Sequence, residues 1–295
     1  MKKVRLYIPN VLLTFLLVFL IIGGEAAMLA GRIVLNEKTY GVLTEQQQLD
    51  AKGYDALTSY FRTRANSTGI PESVFLDAFT QDDLKTAIIL NSQDAIGYLK
   101  GSKGTFEPGA DFTALEASVR SFFEGYAREN GAAMDETFEE KVQSTISEAE
   151  AKILTVADPF KFTALQQNGW LAKGRTYAGY IDPAAVVCIA AAALLVVLLI
   201  LCNRGQEEHL CYWIGLAALT AGLLTAAPCI YLTATDFFSG FAIKDPQIFS
   251  AVVGLLHLLT GRCLTMAVVT VLVGVIGIVG FIFLRAVQRE EEASS

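Results

Sequence analysis

The sequence predicts an all-α membrane protein with four transmembrane helices and one extracytoplasmic helical-bundle domain between the first and second. Three observations predict it. The 295 residues are 53% hydrophobic and only 18% charged, a balance too apolar for a soluble domain of this length. The apolar excess is gathered into four runs, residues 6–29, 184–202, 210–233 and 264–284. Each reaches the roughly 20 residues that a helix needs to cross about 30 Å of hydrocarbon. The polar stretch 32–183 carries apolar residues at steps of three and four, the period of an amphipathic helix.

The first run is interrupted by Asn10 and Glu25. Lys2, Lys3 and Arg5 precede it, and a core of residues 11–22 followed by small residues at Gly24 and Ala26 has the make-up of a signal peptide cut near Glu25. Against cleavage, apolar residues resume through Ala30, and Gly23, Ala27 and Gly31 form a packing face. The expected unit is therefore an uncleaved signal-anchor over 1–31, with Glu25 near its outer end. A pairing of Glu25 with Arg262, which precedes the fourth span on the same side, would make the acid tolerable.

Basic residues in the short flanks set the orientation. Arg204 lies between the second and third runs, and Arg285 and Arg289 follow the fourth, so both termini are expected in the cytoplasm and residues 32–183 outside it. That outer stretch holds 15 Lys and Arg against 22 Asp and Glu, which accounts for the whole net charge of −7. Such a surface offers nothing to nucleic acid and does not rest flat on anionic lipid.

Within 32–183, Thr44 (TEQQ) and Thr80 (TQDD) both fit capping-box starts. Leu43, Tyr54, Leu57 and Phe61 make one stripe around the first, and Leu84, Ile88, Ala95 and Leu99 follow the second, which Gly101 closes. Asp111 is expected to cap a third helix bearing Phe112, Leu115, Val119, Phe122 and Tyr126 and ending at Gly131. Phe138, Val142, Ile146, Ala149, Ile153 and Val156 mark a fourth that stops before Pro159. Gly69 suits a left-handed helix end and Pro71 the start of a short helix, while residues 100–109 read as the most flexible connection. Four amphipathic stripes bury themselves most simply in a bundle.

The region 184–286 is expected to hold three spans, followed by a cytoplasmic tail over 287–295. Ala218, Gly222 and Ala226 on the third span and Gly274, Gly277 and Gly280 on the fourth provide faces for close packing. Before the fourth span, Asp245-Pro246 starts an amphipathic segment at about 246–260 whose narrow polar stripe is Gln247, Ser250, Gly254, His257 and Gly261. At about 14 residues it is too short to span, which suits an interfacial or re-entrant helix or a lid on the bundle. His257 on that stripe is a candidate pH-sensitive or interfacial residue.

Chemistry is sparse. The two histidines, His209 and His257, lie outside 32–183, which removes Ser-His-Asp, Cys-His and HExxH arrangements from that domain. No GxSxG, Walker loop or GxGxxG is present. The five cysteines all lie in or beside apolar segments; they read as small buried hydrophobes, with a Cys229–Cys263 pair on the outer side as the alternative. The acids of DETFEE, Asp135, Glu136, Glu139 and Glu140, read as first-turn residues that favour a helix's positive end, and a divalent cation there is the other possibility. No catalytic residue, cofactor or metal site is expected. The expected function is non-enzymatic: a multi-pass membrane protein that presents its outer helical domain to a partner or ligand, with other envelope proteins and the lipid bilayer as its surroundings. A transporter or channel subunit using Glu25 within the membrane is the alternative.

Overall fold

In a computed structural model of the chain, residues 2–204 and 207–294 are described, with side chains over 7–204, 208–287 and at Arg289. The basic flank Lys2, Lys3 and Arg5 therefore lies outside the described side chains, as does most of the tail 287–295. The described residues form helices α1 (Lys2–Leu29), α2 (Glu37–Gln46), α3 (Leu49–Thr68), α4 (Ser73–Leu76), α5 (Gln81–Leu99) and α6 (Thr113–Asn130). These are followed by α7 (Glu136–Val156), α8 (Phe162–Gln167), α9 (Trp170–Cys202), α10 (Glu207–Ala234) and α11 (Pro246–Ser294), with no strand among them. Four helices are long and apolar enough to cross a membrane, over Tyr7–Val34, Trp170–Cys202, Glu208–Ala234 and Pro246–Val287. The chain divides into two compact units: residues 1–35, 177–241 and 256–295 form one, and residues 36–176 and 242–255 the other.

The first unit holds α1, most of α9, α10 and most of α11. Its helices meet where side chains are small. A Cβ on Gly274 would lie 2.4 Å from the Leu219 nitrogen, and one on Gly277 would lie 2.7 Å from the Gly215 Cα. One on Gly222 would lie 2.8 Å from the Val271 nitrogen. So α10 and α11 touch backbone to backbone, the mode of association that works where lipid gives no hydrophobic drive. Gly215 takes part although it stands outside the expected stripe, and Gly280 faces open space. Gly23 and Gly24 of α1 lie against Cys188 of α9. Lower in the same pair, the amides of Asn10 and Asn203 bond reciprocally at 3.0 and 3.1 Å, both residues buried. Beyond these contacts large apolar side chains remain on the outside, Val186, Ile189, Leu194, Val269, Ile276 and Phe283 among them. A continuous apolar exterior of that kind belongs in a lipid environment.

The second unit is all-helical among the described residues and holds two buried apolar clusters. Leu57 and Phe61 of α3, Leu84 and Ile88 of α5, Leu115 and Val119 of α6, and Val142, Ile146 and Ile153 of α7 are all buried together. Phe61 stacks on Phe75 of α4, centroids 4.4 Å apart and rings 9° from parallel. Helix starts and ends follow local chemistry. Thr80 and Asp83 form the expected capping box, and Asp135 accepts from the Phe138 amide. Gly69 and Gly131 end α3 and α6 at positive φ. Asp111 binds the Thr113 amide.

Several expectations need correction. Thr44 does not start a helix: it is buried inside α2, its hydroxyl donating to the Tyr40 carbonyl. Asn36 caps α2 eight residues earlier by accepting from the Lys38 amide, and the chain turns at Gln48, in the left-handed region, before α3 begins. Residues 100–109 are held, not loose. Phe106 is buried with Tyr40, Ile96, Phe162 and Leu171, the Gly109 amide donates to Asn91, and the Phe106 carbonyl accepts from Gln166. Lastly, 246–260 is no separate outer helix. It forms the opening turns of α11, which runs unbroken from Pro246 to Ser294 because nothing between 260 and 264 stops a helix.

The first part of that polar stripe, Gln247, Ser250 and Gly254, faces protein, whereas His257 and Gly261 are exposed. Within the second unit, the Gln247 amide nitrogen donates to the carbonyls of both Leu49 and Val156 at 3.0 Å. Lys52 donates to Ser250 at 2.7 Å, Ala251 is fully buried in the core, and Gln47 packs over Gly254. Gly53 of α3 is what admits the Gln247 side chain, since a Cβ there would lie 2.4 Å from its Nε2.

Candidate functional sites

Among the described residues, a groove in the second unit and a cavity in the first each border polar groups. The first is a groove of about 780 Å³ on the bundle. The end of α3 supplies Thr68 and Gly69, α6 supplies Phe122, Phe123 and Tyr126, and α7 supplies Glu140, Lys141, Ser144 and Thr145. Periodicity explains its aromatic wall. Leu115 and Val119 carry the α6 stripe into the core, and two turns later the same stripe emerges, so that Phe122 is half-buried and Tyr126 58% exposed. Phe123 packs edge-on against Phe138 of α7, centroids 6.3 Å apart. Exposed aromatic rings with a rim of hydroxyls and both signs of charge are the composition of a recognition surface.

The acids of DETFEE go to different tasks. Asp135 caps α7, Glu139 pairs with Arg120 at 3.0 Å, and Glu140 lines the groove. Among the described residues no three His, Cys, Asp or Glu side chains converge as metal ligands.

Elsewhere, α6 and α7 bring two carboxyl groups together. Burial and the neighbouring Glu116 carboxyl raise the Glu150 carboxyl above its ordinary range. An acid whose folded pKa is raised favours the fold most when protonated. The contribution is complete below its unfolded pKa, about 4.3, and is lost as pH rises through the folded value. Solvent screening keeps the effect below about 1 kcal/mol. Glu150→Gln is therefore expected to flatten the fall in thermal stability of the detergent-solubilised protein between acid and neutral pH, read by scanning fluorimetry.

The second place lies in the helix cluster of the first unit. Glu25 on α1 accepts hydrogen bonds from Thr270 of α11 and, at 3.4 Å, from Thr225 of α10. It borders a cavity of about 290 Å³ whose wall also includes Leu224, Pro228, Cys229, Cys263 and Met266. Pro228 has no N–H to give the Leu224 carbonyl, so the α10 ladder is open at the cavity. The cysteines are free thiols, one on each of the two helices that also supply Thr225 and Thr270.

The expected Glu25–Arg262 contact is not formed, and Arg262 is exposed. Helix geometry gives the reason. Arg262 is eight residues from Thr270, which sets it about 80° round α11 from the face that meets Glu25, whereas Cys263, seven away, shares that face. Two threonines were the missed signal: Thr225 and Thr270 sit inside apolar runs, where a hydroxyl more often bonds its own helix. His257 lies edge-on to Phe238, centroids 5.3 Å apart, with Nε2 4.0 Å from Asp236. Comparison of the chain with protein-family models, with curated proteins and with solved structures found no significant match.

Proposed function

We propose that this is a non-enzymatic envelope protein, anchored by four membrane spans, whose helical domain outside the cytoplasm binds another envelope protein through the α3–α6–α7 groove. The groove's aromatic wall is the observation that carries the reading. Its occupant is a protein segment with an apolar anchor side chain flanked by basic residues. The anchor answers Phe122 and Tyr126, and the basic flanks answer the acidic excess of 22 over 15 in residues 32–183 together with Glu140 at the rim.

Photocrosslinking tests it. A benzophenone side chain in place of Tyr126, in cells, is expected to give one discrete protein adduct. Filling the groove from its exposed rim with Ser144→Trp should reduce that adduct at least tenfold. No adduct, or an adduct indifferent to Ser144→Trp, overturns the reading. Orientation is tested separately: Ser102→Cys in a cysteine-free chain should react with an impermeant maleimide in intact cells.

A second reading rests on Glu25, an ionisable group held by hydroxyls from two other helices beside a cavity. Intramembrane acids so placed mark transport paths. Proton or ion flux into proteoliposomes that disappears with Glu25→Gln would favour it over the groove.

A further inference from the structure

We infer that Cys229 and Cys263 are a working dithiol that closes to a disulfide in the cell, stapling α10 to α11 across the Glu25 cavity. The two thiols come from different helices and line one cavity. Cys229 is itself almost fully buried, so the pair is held by packing and not by chance encounter on a mobile surface.

The staple would act on Glu25. Thr225, which donates to Glu25, precedes Cys229 by one helical turn on α10, and Thr270, the other donor, follows Cys263 by two turns on α11. Both cysteines thus share the helix faces that hold the carboxylate. Oxidation fixes the spacing of the two hydroxyl donors, and reduction releases it.

The oxidant is a disulfide, supplied as a small molecule or as an oxidoreductase of the compartment outside the cytoplasm. The Cys263 thiolate attacks one sulfur of that disulfide and expels a thiolate. The Cys229 thiolate then attacks the mixed disulfide and expels the second. One S–S bond forms and one breaks; two electrons pass to the oxidant, and the two protons lost by the cysteines end on its two released thiols.

The inference rests on the proposed orientation, which puts this end of α10 and α11 outside the cytoplasm, where disulfides persist. Cells expressing the full chain with Cys188, Cys202 and Cys211 replaced by Ala are quenched in acid, then denatured in SDS with chelator and treated with a 5 kDa maleimide. The expected result is no mass addition without reductant and two additions after it, with Cys229→Ser giving one addition in both lanes. Two additions without reductant overturn the inference. Oxidised glutathione added to the purified protein then separates the causes. Closure there after none in cells means the orientation is wrong, and no closure in either means the thiol geometry is.

Discussion

Gly274→Leu is expected to be among the most damaging single substitutions in the helix cluster. Its side chain would begin 2.4 Å from the Leu219 nitrogen and 2.7 Å from the Leu219 Cα, and backbone cannot rotate aside as a flexible side chain does. Overpacking typically costs about 1–3 kcal/mol where neighbours can shift, and more where they cannot. We expect α10 and α11 to part, seen as a fall in the melting temperature of the detergent-solubilised protein and as lost crosslinking between cysteines engineered on the two helices. Gly280→Leu, at a position with open space around it, should leave both measurements unchanged.

Gln247→Glu is the sharpest test of the bundle's hold on the start of α11. The wild-type amide gives its two N–H groups to the carbonyls of Leu49 and Val156, at a site only 4% exposed. A carboxylate of the same shape has no hydrogen to give, so three acceptors would face one another in a buried space. Losing the two bonds and stranding their carbonyls should destabilise the bundle by about 2–4 kcal/mol. The sign with pH follows. Protonation restores one donor, so the variant is least impaired below the ordinary carboxyl range and worsens as pH rises. Hydrogen exchange over residues 246–255, in wild type and variant at two pH values, reads this directly. Gln247→Met keeps the volume, loses both donors and should show no such pH dependence.

The sequence displayed the buried stripes of the second unit's helices well, and the reason is periodic burial. Leu57, Phe61, Leu84, Ile88, Leu115, Val119, Val142 and Ile153 are each buried at the helical spacing that singled them out. Capping at Thr80 and Asp135 was readable because those bonds are local. What escaped was decided by partners distant in sequence. Phe106 looked like one ring in a glycine-rich loop, yet Phe162 and Leu171, some 60 residues on, complete its pocket. Gln247 and Gly53 carry no signal singly; their meaning lies in the fit between them. The Glu25 clamp was half legible. An acid in an apolar run announces the need for a partner, but a threonine with local alternatives does not announce that it is that partner. The groove was invisible for a further reason: Tyr126 continues the stripe of Leu115 and Val119, and periodicity alone does not tell that it stands exposed.

The Asn10–Asn203 pair carries a consequence for biosynthesis. The two amides are 193 residues apart in the chain. At roughly 5–20 residues synthesised per second, Asn203 follows Asn10 out of the ribosome by some 10–40 s. Throughout that interval α1 exists with an amide whose final partner has not been made. The reciprocal bond is therefore a late event, a clasp that shuts only after nearly the whole bundle has been translated. It then fixes the axial stagger of α1 against α9, since a slip of one turn, about 5.4 Å, would set each amide against hydrocarbon.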